Sequence, residues 1–107
     1  MTAQNTRVRF SDLPWETPAK HVRQKTCTYH GKKLRLVEFS TGLEHPEWCL
    51  KGHVGYVLEG TLAIEFDHET LEYRAGDGLI LPAGETARHR PVPVSDHVLL
   101  VLCEDVP

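Results

Sequence analysis

The apolar residues of this chain come in runs no longer than a single strand, and glycine, proline or acidic turn residues close most of them. Thr61-Leu-Ala-Ile-Glu-Phe66 shows the pattern, with Leu62, Ile64 and Phe66 alternating to one side between the turns Glu59-Gly60 and Asp67-His68-Glu69. Leu34 to Phe39 follows a tight turn at His30-Gly31-Lys32 and places Leu34 and Leu36 on one face, Arg35, Val37 and Phe39 on the other. Further runs are expected at His21–Tyr29, His53–Leu58, Thr70–Tyr73, Leu79–Leu81, Thr86–Arg90 and His97–Glu104. Pro91 and Pro93 bar a central strand at their position and predict an extended connection. No segment keeps a helical period, and Pro14 and Pro18 limit any N-terminal helix to about a turn. Many short strands with Gly/Pro turns predict an all-β sandwich or barrel.

A chain of 107 residues supports one modest core, here read as an N-terminal arm or edge element at 1–18 and a barrel domain at 19–107. The net charge of −3 is mild, so no nucleic-acid or membrane partner is expected. The N-terminal residues lack an apolar signal core, and Val98–Leu102 is only strand-sized. The three cysteines, Cys27, Cys49 and Cys103, are accordingly read as reduced thiols in a cytoplasmic protein, with Cys27 and Cys103 as small core residues. A serine hydrolase is excluded by the lack of a Gly-x-Ser-x-Gly elbow, and phosphate-binding glycine loops are missing as well. The acids Glu59, Glu65, Glu69 and Glu72 form no recognisable glycosidase pair.

Two segments stand out. Cys49-Leu-Lys-Gly-His53 precedes an apolar strand that ends at Glu59-Gly60, and Gly76-Asp-Gly-Leu-Ile-Leu-Pro82-Ala-Gly84 leads through a turn to His89. Together they resemble the two motifs of the small single-domain cupins. Gly60 fits the closing glycine of the first motif, which sets His53 where that family carries glutamate and places Glu47 and Cys49 on its His-x-His positions. Gly76, Pro82 and Gly84 fit the second motif without a gap; its histidine position falls on Ala87, with His89 two residues later. The resemblance spans roughly residues 33–104. It implies a double-stranded β-helix of the cupin or jelly-roll type, a metal-centred pocket and frequently a homodimer.

Strand alternation puts His45, Glu47 and Cys49 on one face, sends Trp48 into a hydrophobic layer, and lets Lys51-Gly52 return His53 to the same pocket. Gly55, on the face of His53, is expected to leave room for a substrate. His89 lies one pleat beyond the motif position, about 6–7 Å along a strand, so a longer turn after Gly84 is required to deliver it. The expected ligands are Glu47, Cys49, His53 and His89; whether His45 or His97 replaces one of them is left open, with His97 read first as a strand-start residue, and Glu47 is the general base where it is not a ligand. Thiol with imidazole favours a divalent transition metal, zinc or iron ahead of nickel, copper or manganese. Three protein ligands leave open positions for a small organic acid or thiol, the setting for a dioxygenase, isomerase or decarboxylase. Two other functions stand beside this one. A non-catalytic small-molecule sensor needs the pocket without turnover, and a purely structural barrel would use Cys49 and His53 as core.

Overall fold

The computed structural model describes residues 6–43 and 46–106, and it is built almost wholly of strands. In chain order these are β1 (Glu16–Ala19), β2 (Val22–Tyr29), β3 (Lys32–Ser40), β4 (His53–Glu59), β5 (Thr61–Glu65), β6 (Thr70–Arg74), β7 (Gly78–Leu81), β8 (Arg90–Pro93) and β9 (His97–Asp105). A six-stranded sheet runs β1-β2-β3-β9-β4-β7 and faces a three-stranded sheet, β6-β5-β8. All pairings are antiparallel. The expected all-β jelly-roll is the observed fold.

Local chemistry explains the elements. His30 and Gly31 carry φ of 52° and 74°, the backbone of a two-residue type I′ hairpin, and so join β2 to β3 where the sequence predicts a tight turn. β1 is an edge strand, so the predicted N-terminal arm ends as part of the sheet. The strand expected at Thr86–Arg90 is displaced. Glu85–Ala87 forms a 3-10 turn, and the strand begins at Arg90 and includes both Pro91 and Pro93. β8 tolerates them because it pairs only with β5 at the sheet edge, where a missing N–H costs no ladder bond.

The core fills one end of the space between the sheets. Val37, Val57, Leu62 and Val98 are its fully enclosed members, with Phe39, Ile64, Leu79 and Leu100 packed around them. Its inward rows change character along the strands. β3 points Phe39 and Val37 into the core and then Arg35 and Lys33 away from it, while β9 runs Val98, Leu100 and Leu102 before ending on Glu104. β4 begins on buried His53 and proceeds to buried Val57. Because β3 pairs Arg35 with Leu102 and Lys33 with Glu104, and β4 pairs Val54 with Cys103, all three rows turn polar at the same end of the barrel. That end holds the candidate site.

Candidate metal centre

Cys49, His53 and His89 come together there. One ligand atom from each (a sulfur and two ring nitrogens) lies within 4.8 Å of the others, and both histidines are buried. Cys49 Sγ is 3.3 Å from His53 Nε2, and the two imidazoles meet edge to face with centroids 5.2 Å apart.

Backbone hydrogen bonds hold the two contributing segments together. Cys49 N–H donates to the His89 carbonyl at 2.7 Å, His89 N–H donates back at 3.1 Å, and Gly84 N–H donates to Leu50 O at 2.9 Å. The residues between Gly84 and His89 are thereby pinched into the 3-10 turn, closed by Ala87 N–H to Gly84 O and Arg88 N–H to Glu85 O, each 3.3 Å. This is the longer turn that His89 requires, and it takes up the two-residue offset from the motif position. Side chains reinforce the joint. Trp48, beside Cys49, lies against the guanidinium groups of Arg88 and Arg90, which flank His89, at 4.5 and 4.2 Å from its ring centroid. Each arginine is also paired with an acid, Arg88 with Asp67 and Arg90 with Glu65. Trp48 therefore packs against cations rather than in the hydrophobic layer expected for it.

The second tier of the site was not foreseen from the sequence. Glu104 is 7% exposed, and its Oε2 lies 3.1 Å from His53 Nδ1. The angle between these atoms is outside hydrogen-bond geometry, so each also counts as a buried polar atom without a partner. A small rotation of the ring converts the contact into an N–H···O bond. Glu104 Oε1 accepts from Arg35 Nη1 at 3.2 Å, and Gln24 Oε1 accepts from Arg35 Nε and Nη2 at 3.1 and 2.8 Å. A continuous polar chain thus runs from Gln24 through Arg35 and Glu104 to His53. Burial holds the His53 imidazole below its ordinary pKa; the Glu104 charge opposes this, while His89, Arg35 and Lys51 add to it. A neutral imidazole with a free Nε2 is the form that ligates metals.

His89 is prepared in the same sense. Its Nδ1 lies 3.1 Å from the Ala87 carbonyl, which fixes the proton on that nitrogen, and its Nε2 is buried with no hydrogen-bond partner. An orphaned buried acceptor beside a thiol and a second imidazole fits a metal ion. Bond lengths of about 2.0–2.3 Å to nitrogen and sulfur require the more distant of the three atoms to draw in toward the ion. The donor set suits zinc or another late transition metal and leaves at least one position open. Metal-free, the row Cys49–His53–Glu104 has the order of a thiol, a base and an orienting carboxylate.

Other expected site residues lie elsewhere. Glu47 is exposed and outside the cluster, because residues 46–48 form no strand and strand alternation does not govern them. The carboxylate beside the imidazole is Glu104 instead. His97 sits at the exposed start of β9, 3.3 Å from Glu59, and His45 lies outside the described residues. Gly55 does not line the pocket; a Cβ there would strike the Val101 carbonyl, so glycine answers close strand approach rather than substrate room. Cys27 and Cys103 are half-buried free thiols.

The sequence profile of the cupin domain matches residues 39–103, well over half of the chain. The chain belongs to the cupin family. This cupin is similar in fold to an RmlC-like cupin from Shewanella frigidimarina, with a TM-score of 0.77 at 18% identity, covering 94% of this chain and 89% of the other. KdgF from a Halomonas species gives a TM-score of 0.75 at 18% identity, over 91% and 89% of the two chains. A cupin-2 domain protein from Shewanella frigidimarina gives 0.69 at 20% identity, over 97% and 99%. No curated protein matches the sequence. Among the described residues no helix is long and apolar enough to cross a membrane.

Proposed function

We propose that this cupin binds one divalent transition metal through Cys49, His53 and His89, zinc or iron before nickel, copper or manganese, and offers it to a small organic acid or thiol. The observation that carries the reading is buried His89: its Nε2 has no hydrogen-bond partner among the described residues, and one of its ring nitrogens lies within 4.8 Å of the Cys49 sulfur and a His53 nitrogen. The metal would supply Lewis acidity toward an oxygen or sulfur of the bound molecule, or activate oxygen where it is iron.

The protein's own residues supply the rest. Glu104 orients His53 and favours the tautomer whose Nε2 faces the thiol, and Arg35 holds the other oxygen of that carboxylate in place. Leu62, Ile64, Leu79 and Leu100 give the cavity, about 360 Å³, an apolar floor that excludes water from the bound molecule. These features support a dioxygenase, isomerase or decarboxylase type of chemistry without choosing among them.

The test is metal content by elemental analysis of protein purified without a tag. One equivalent in the wild type and none in His53→Ala is the expected result; full occupancy in the variant removes the assignment. The alternative, a non-catalytic sensor barrel, is favoured by the replacement of the family's usual ligands. Binding without turnover of acids and thiols by the metal-loaded protein would select it.

A further inference from the structure

The charges lining the metal cavity do not balance. Among the described residues, Lys33, Arg35 and Lys51 line it with a single carboxylate, Glu104. That carboxylate is already committed to Arg35 and His53. Lys33 and Lys51 have no carboxylate within ion-pair distance among the described residues, although neighbouring Lys32 is paired with Asp105. Lys33 belongs to the inward row of β3, two residues before Arg35, and both lysines also line the adjoining cleft that opens past Gly52 and Pro82. Of the five N–H donors of Arg35, Gln24 takes two and Glu104 one, so two are left without a partner among the described residues. Cations gathered at the mouth of a partly apolar cavity attract and orient an anion.

We propose that Lys33, Lys51 and the spare donors of Arg35 form a subsite for the oxyanion head of the ligand, with its carbon body on the apolar floor beside the metal. This rests on the proposed metal-dependent reading for its setting and adds the charge and shape of the ligand. The head is a carboxylate or a phosphate; the body is small. A cavity of about 150 Å³ accepts a benzene-sized molecule, so 360 Å³ takes one of roughly twice that size.

The test uses matched probes on protein stripped of metal with a chelator, so that coordination does not contribute. Phenylacetate and phenylacetamide have nearly the same shape and differ in charge; phenyl phosphate and inorganic phosphate form the second arm. Calorimetric titration should show saturable binding of phenylacetate or phenyl phosphate, with the amide at least tenfold weaker. The arm that binds tighter identifies the head. In the Lys33→Gln/Lys51→Gln double variant the anion should lose tenfold or more, while the amide affinity and the zinc stoichiometry stay at wild-type values. Those two unchanged readouts show that the variant is folded. Equal binding of anion and amide, no anion binding by the wild type, or wild-type anion affinity in the double variant would overturn the subsite. Failure of zinc to bind either protein would sink the metal reading alone and leave the anion result standing.

Discussion

Glu104 Oε2 lies 3.1 Å from His53 Nδ1, and neither atom has another partner. A carboxylate placed there raises the basicity of the imidazole and fixes its ring, so its removal weakens a metal held on the opposite nitrogen. Glu104→Gln should lower zinc affinity about 10–100-fold, measured by competition with a chromogenic chelator. Unchanged affinity would show the carboxylate to be a bystander.

Cys49 provides the sulfur of the cluster. Cobalt(II) bound by the wild type should show an intense thiolate-to-metal charge-transfer band in the near ultraviolet. Cys49→Ser should lose the band even where some cobalt still binds. Persistence of the band in the variant would assign the sulfur to another residue.

The depressed pKa of His53 has a consequence for the metal-free protein. An unfolded chain takes up a proton near the ordinary histidine value of about 6.5. The folded state takes it up only at lower pH, so unfolding is favoured as protons are added. This contribution is complete above that ordinary value and is lost as pH falls through the folded-state pKa. Urea midpoints of the metal-free protein, measured from pH 7.5 downward, should therefore fall less steeply in His53→Gln than in the wild type. Parallel curves would contradict the sign.

Gly55 sits where β4 meets β9, and a methyl group there would collide with the Val101 carbonyl and come within 2.8 Å of Leu102 Cδ2. Backbone yields less readily than a flexible side chain. Gly55→Ala should cost about 1–3 kcal/mol, the usual range for an overpacked site, read from urea unfolding. Metal stoichiometry measured on the folded fraction should be unaffected, since Gly55 does not line the cavity.

Much of the fold was legible because it depends on local chemistry. The alternation in Thr61–Phe66, the His30-Gly31 turn and the Gly/Pro punctuation each act over a few residues. Cys49, His53 and His89 were legible through motif spacing, including the need for an extra turn before His89. Glu47 was expected in the cluster because alternation was applied to a segment whose only sheet contact, among the described residues, is the Cys49–His89 bridge. Glu104 was missed for the opposite reason. His97–Glu104 reads as nearly continuous apolar chain, and its role emerges only when Val98, Leu100 and Leu102 are seen to define an inward row that Glu104 completes. Arg35 carried the same signal, sharing a face with Val37 and Phe39, but its meaning depends on β3 lying beside β9, a pairing between distant parts of the chain.

The contacts of Trp48 with Arg88 and Arg90 join the neighbour of Cys49 to the neighbours of His89. The cage is therefore latched by organic groups before any ion enters it. On the proposed metal reading, stripping the ion should empty a standing vessel rather than unravel one, so that reloading should need no refolding.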